Sequence, residues 1–148
     1  HRVHHSDTQM DVSTAIRFHP IEIALSMVLK TGLVYALGAD PLSILFFEIL
    51  LNGSSMFNHA NIKIPTRIDK VLRLFIVTPD MHRIHHSRDR NEHDTNFGFA
   101  LSVWDRFFRT YKDYPQKKHE DMELGLSWQD EKPEKLGWSL ALPFRKNE

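Results

Sequence analysis

The chain has 148 residues, 41% of them apolar and none cysteine, and its 19 Lys and Arg balance 19 Asp and Glu. That length accommodates one domain with a modest core. The charge balance gives no net field to draw in nucleic acid. The lack of cysteine excludes disulfides, thiolate zinc sites and iron–sulfur clusters on these residues, so electrons for any redox chemistry must come from elsewhere.

The chain opens on HRVHH (His1 to His5), and the same H-x-x-H-H spacing returns in MHRIHHS (Met81 to Ser87). Positions i, i+3 and i+4 share one helix face, so His1, His4 and His5 point together, as do His82, His85 and His86. Neutral imidazole suits iron, zinc, copper or nickel. Six nitrogens exceed what one tetrahedral ion uses, so the doubled pattern predicts a polynuclear metal centre held by two helical segments. There is no H-E-x-x-H, which leaves a zinc hydrolase as the weaker alternative. No cleavable signal pattern is visible, and a chain starting inside a histidine cluster without Met reads as the C-terminal part of a longer protein.

Two apolar runs follow, Ile21 to Leu37 and Pro41 to Phe57, each about 17 residues, or roughly 25 Å as a helix. Between them, Gly38-Ala39-Asp40-Pro41 combines a helix-stop glycine, an N-cap aspartate and a proline at the first helical position. A helical hairpin over about 21–57 is predicted. Lys30 and Glu48 favour a soluble hairpin. Against them, the connector lacks Lys and Arg while Arg2, Arg17, Lys63, Arg67, Lys70 and Arg73 flank the pair. The positive-inside rule then predicts a membrane hairpin with both histidine clusters on the cytoplasmic side.

After Asn58, the apolar residues Ile68, Val71, Leu72 and Phe75 recur at helical spacing, predicting an amphipathic helix at the membrane surface. Thr78-Pro79-Asp80 can start the second histidine helix. Residues 91–97 read as a polar loop. Trp104, Phe107, Phe108 and Tyr111 form an aromatic stripe that suits either a core or a membrane interface. The tail from Tyr114 is charged, with Trp128, Trp138 and Phe144 as isolated anchors and no chemistry of its own. Asp7, Asp11, Asp80, Asp94 and Asp105 are candidates to orient imidazoles from outside the metal shell, or to serve as caps and surface charges.

Four strings together resemble the fatty acid hydroxylase / sterol desaturase superfamily of integral-membrane, histidine-box di-iron oxygenases. They are HRVHHSDTQMDVSTAIRFHPIE (His1 to Glu22), FNHANI (Phe57 to Ile62), MHRIHHS, and DTNFGFALSVWDRFFRTY (Asp94 to Tyr111). The resemblance implies an all-α fold, a membrane hairpin beneath a cytoplasmic-side helical cap. It implies a hydroxylase-like domain over 1–112, followed by a charged tail over 113–148. It makes His1, His4 and His5 the middle box and His82, His85 and His86 the last, with His59 and His19 as further metal ligands. His93 and His119 match no family histidine and read as surface residues. The family's first box would lie upstream of His1, and the family usually has glycine where Arg109 stands.

The resemblance also supplies the chemistry. Two iron ions, which zinc can replace on purification, would use dioxygen to hydroxylate or desaturate a lipid: sterol, fatty acyl chain, sphingolipid or ether lipid. Electrons would come from an external cytochrome-b-type carrier or a ferredoxin with its reductase. The alternatives are a metal-binding membrane fragment without activity and the zinc hydrolase.

Overall fold

The computed structural model describes residues 1–129 and 132–145. In chain order it contains α1 (Arg2–His5), a 3-10 turn (Val12–Ile16), α2 (Pro20–Leu37), α3 (Pro41–His59), α4 (Thr66–Leu72), α5 (Pro79–His85), α6 (Arg90–His93), α7 (Val103–Phe108), a second 3-10 turn (His119–Asp121), and α8 (Leu136–Ala141) running into a third (Leu142–Phe144). No strand occurs among the described residues, where isolated antiparallel bridges join Ile76 to Leu101 and Ser87 to Leu124. The protein is all-α, as the sequence predicts. The expected loop at 91–97 begins inside α6, because the Asp89 carboxylate accepts the Asn91 amide at 2.9 Å and caps a short turn of helix.

The two long helices form for the reasons visible in the sequence. Gly38 ends α2 in the left-handed region, at φ 63°. Asp40 then accepts the amides of Leu42 and Ser43 at 3.0 and 3.1 Å, and Pro41 occupies the first turn of α3. α2 buries none of its residues and is long and apolar enough to cross a membrane. Among the described residues it is the one helix that meets both conditions. α3 differs because Glu48, Asn52, Ser54, Ser55 and Asn58 interrupt its apolar run. The two charges that argued against lipid meet each other: Lys30 Nζ lies 2.7 Å from Glu48 Oε1, tying α2 to α3. Such pairing is how ionisable side chains are accommodated at membrane depth.

The shorter helices are turned inside out relative to a soluble protein. On α4, Asp69 is buried and pairs with buried Arg73 just beyond the helix end at 2.6 Å, while Ile68 and Val71 face outward. Phe75, expected to continue this helix, lies past its end and is also exposed. On α7, Asp105 is buried while Trp104, Phe107 and Phe108 are exposed. A helix on a water-facing surface shows the opposite arrangement. The aromatic stripe therefore points outward and is no part of a core.

Buried polar groups dominate the interior. Among the described residues, 8 apolar side chains are buried against 21 polar or charged ones, so hydrophobic packing is not what organises the cap. One strut illustrates the alternative. The Asp105 carboxylate accepts the amides of Phe97 and Gly98 at 2.7 and 2.8 Å and the Thr110 hydroxyl at 2.7 Å. Hydrogen bonds to a charged group contribute about 1.5–3 kcal/mol each. Gly98 is obligatory beside it, since a Cβ there would sit 2.6 Å from Asp105 Oδ2. Arg109, where the family pattern has glycine, closes α7 at φ 60°, a conformation that costs a non-glycine residue about 1–2 kcal/mol.

The tail is packed, not loose. Trp138 and Leu142 are buried with Val3 of α1. Gln129 Nε2 donates to the Ser6 carbonyl at 2.8 Å, and the Gly125 amide donates to the His86 carbonyl at 3.2 Å, so the segment lies across both histidine boxes. Residues 130, 131 and 146–148 of the tail fall outside the described residues.

Candidate metal centre

Three elements bring the histidines together. α1 carries His4 and His5, α5 carries His82 and His85 with His86 at its cap, and the last residue of α3 is His59. α3 packs against both α5 and the Val12–Ile16 turn, which fixes its end at the centre of the cap. The imidazoles sort into two groups whose ligand atoms all lie within 4.8 Å of one another: His4, His59, His82 and His86, and His1, His5 and His85. The groups abut, for the His5 and His86 rings stack with centres 4.4 Å apart.

Tautomers follow from the partners. His4 Nδ1 lies 3.0 Å from the Thr14 carbonyl and His59 Nδ1 lies 2.7 Å from the Ser55 carbonyl. A carbonyl only accepts, so both Nδ1 atoms carry the proton and both Nε2 atoms present a bare lone pair. Those two lone pairs face each other at 3.0 Å. His82 Nε2 stands 3.1 Å from the same His59 nitrogen. Two lone pairs at that distance repel unless a cation lies between them. Protonation is disfavoured: burial, then the charge on His59, pushes His4 down to about 3 from an ordinary 6.5. Burial likewise lowers His5, His82, His85 and His86. With metal–nitrogen bonds of about 2.1 Å, nitrogens 3 Å apart subtend about 90° at an ion, which suits a metal with several imidazole ligands. His86, fully buried, has neither ring nitrogen paired, and the Nδ1 atoms of His5 and His82 are also unpaired. Unpaired buried polar atoms on this scale need a partner, and a metal supplies it. The donor set fits redox-active iron as well as zinc.

The fatty acid hydroxylase family matches residues 1–110. The chain belongs to this family. Among curated proteins it is 30% identical over 124 residues to the ornithine lipid hydroxylase of Rhizobium tropici, covering 84% of this chain and 37% of that protein. It is 28% identical to human alkylglycerol monooxygenase over 127 residues, or 86% of this chain and 26% of that protein. The zebrafish (Danio rerio) alkylglycerol monooxygenase is 32% identical over 114 residues, 75% of this chain and 24% of that protein. The chain thus spans roughly a quarter to a third of the length of these relatives. No solved structure matches it.

Seven of the eight histidines singled out in the sequence stand in the two groups. His19 does not. Its Nδ1 accepts the Ile21 amide at 3.2 Å as the N-cap of α2, and its Nε2 donates to the Leu140 carbonyl at 3.2 Å. Both ring nitrogens are therefore occupied, and His19 anchors α2 to α8. His93, expected at the surface, is half-buried with its ring 4.6 Å from that of His5 and 5.6 Å from that of His85. His119 is half-buried too, with Nδ1 enclosed and unpaired.

None of the five candidate aspartates reaches an imidazole nitrogen among the described residues. Asp7 instead accepts the Thr14 hydroxyl at 2.8 Å, and so acts on His4 through the Thr14 backbone. Asp11 caps the Val12–Ile16 turn, and Asp94 makes a surface pair with Arg90. The orienting groups are the carbonyls of Thr14, Ser55 and, for His85 at 2.9 Å, Thr95. The carboxylate that does meet a ring is Glu22, whose Oε1 lies 3.3 Å from His1 Nδ1. Its position in the FHPIE string was the available signal. Phe18 of the same string stacks on His4 at 4.7 Å and 3°.

Proposed function

We propose that this chain is the metal-bearing part of a membrane lipid hydroxylase that uses dioxygen. The observation that carries the proposal is the pair of bare Nε2 lone pairs of His4 and His59, 3.0 Å apart in a buried cap. His4, His59, His82 and His86 would hold one iron, and His1, His5 and His85 would contribute to a second. Bound iron would supply dioxygen activation and insertion of one oxygen atom into a C–H bond, the other leaving as water with two protons and two electrons, the electrons from an external carrier. The protein's own contribution is to aim seven imidazoles and to keep the six buried ones neutral. Burial holds them deprotonated, backbone carbonyls fix which nitrogen is free, and the enclosing tail excludes water from the reacting atoms.

Hydroxylation is favoured over desaturation because the ornithine lipid hydroxylase and the alkylglycerol monooxygenases are the similar proteins. The substrate is then a lipid with long alkyl or acyl chains. The outward apolar faces of α2, α4 and α7 support a membrane setting, and the positive charge flanking α2 and α3 supports a cytoplasmic orientation of the histidines. The test is lipid analysis under labelled dioxygen, in cells with and without the intact gene, together with metal analysis of the purified intact protein. Label in a lipid hydroxyl and iron on the protein are expected. Zinc alone despite iron supply, with no labelled lipid, overturns the proposal in favour of an inactive or hydrolytic metal protein.

A further inference from the structure

One aromatic ring separates the second histidine group from an apolar hollow. The Phe97 ring stands edge-on to His85 with centres 5.4 Å apart. The same Phe97 lines a hollow of about 560 Å³ with Phe99, Trp104 and Phe108. Asp105 and Thr110 also border it, but their polar atoms are already paired with each other and with the Phe97 and Gly98 amides. The hollow therefore offers an occupant aromatic surface and little hydrogen bonding.

Its walls are rigid. Asn96 holds a left-handed backbone at φ 52°, and its amide group donates to the carbonyls of Met81 and Lys112 at 3.0 Å each. Asn58, beside His59, donates its side-chain amide to the Phe99 carbonyl. Buried polar bonds thus fix the loop while the rings of Phe97 and Phe99 stay about half exposed. A backbone held in this way fixes where the bare aromatic rings stand, as a binding site requires. The Ile76–Leu101 bridge and the Ser102 amide, which donates to the Phe75 carbonyl at 3.2 Å, join the hollow's rim to the outward apolar faces of α4 and α7.

We propose that this hollow binds one alkyl chain of a lipid, with Phe97 as the specificity-determining residue that sets which carbon rests beside His85. The assignment to substrate rests on the hydroxylase reading; the binding of an alkyl chain does not. Phe99 and Phe108 set how much chain is accommodated, and Phe97 sets the reach toward the metal.

The test uses the full-length protein in phosphatidylcholine nanodiscs and a long-chain alkylglycerol carrying a photoreactive diazirine at its chain end. The label should concentrate on the segment from Phe97 to Phe108 and be displaced by excess unlabelled alkylglycerol but not by glycerol. Label confined to α2 and α3, or indifferent to the competitor, overturns the proposal; the hollow then belongs to bulk lipid or to another protein segment. In a second arm, Phe97→Leu and Phe97→Trp should move the new hydroxyl along the chain in opposite senses, with iron per protein unchanged. Phe99→Leu should leave that position fixed and change chain-length preference in kcat/KM by about tenfold. An unmoved hydroxyl in both Phe97 variants at full iron content overturns the role given to Phe97. Competable labelling of the hollow without any lipid oxidation by the wild type would sink the hydroxylase reading and leave the binding site standing.

Discussion

The two histidine groups lie side by side and differ in how they are enclosed. His4, His59, His82 and His86 are all buried and come from three separate elements, α1, α3 and α5. His1, His5 and His85 draw on the two boxes alone, and His1 is exposed. The third element makes the difference. His59 enters between the boxes with its tautomer fixed by Ser55, and the polar end of α3 is what carries His59 into the cap. The first group resembles a closed structural site, while the second, with three imidazoles, keeps a position open to a further ligand.

His59→Ala breaks the comparison most severely. It should remove the metal of the four-histidine group, lower lipid oxidation by more than about a hundredfold, and leave the other metal in place, as metal counting per chain would reveal. Loss of both metals together would make the groups one cooperative site. A milder probe is timed chelation of the intact protein: the ion of the three-histidine group should leave first and that of the four-histidine group last, and simultaneous release would erase the distinction. Glu22→Gln touches His1 alone, so it should weaken metal binding in the open group by about 10–100-fold and leave the closed one unaffected.

Acid should loosen both groups. His4 titrates near 3 in the folded chain against 6.5 when unfolded, so below about 6.5 the unfolded chain takes up a proton that the folded one refuses. Stability and metal retention should be full above pH 7 and decline as pH falls through about 6 toward 3. Thermal unfolding that is flat across that range would contradict the buried neutral state. The smallest change lies away from both groups: Arg109→Gly should raise unfolding stability by about 1 kcal/mol, with metal content untouched, because glycine relieves the left-handed conformation at φ 60°.

Much of this was legible in the sequence, for identifiable reasons. The repeated H-x-x-H-H spacing carries the helix period, so the boxes announce their shared faces. Gly38, Asp40 and Pro41 announce the turn between α2 and α3. The pattern at Ile68 and Val71 predicted a helix with its apolar face outward at a membrane surface, and the buried Asp69–Arg73 pair is the polar face turned inward. His19, offered as a ligand by the family string, stands at the N-cap of α2, because a histidine preceding a helix-opening proline occupies that slot and its ring meets the Ile21 amide. His93 reads as a surface residue in the sequence, and only the fold at 87–93 returns it to His5. Carbonyls that aim the imidazoles leave no residue-type signature, whereas carboxylates do, and so the five aspartates drew attention that belonged to Thr14, Ser55 and Thr95.

The span of chain between the facing nitrogens has a consequence for assembly. His4 and His59 are separated by 55 positions and His59 and His82 by 23, so a shared ion would act as a crosslink closing two large loops. Such a crosslink removes loop-closure entropy from the open chain, as a disulfide does in a secreted protein. A cap with few buried apolar side chains would then be a late-folding unit, assembled on helices already inserted in lipid and locked when the ion arrives. Metal starvation would leave α2 and α3 in place beneath an unclosed, protease-sensitive cap, and so act as a quality-control checkpoint before any turnover begins.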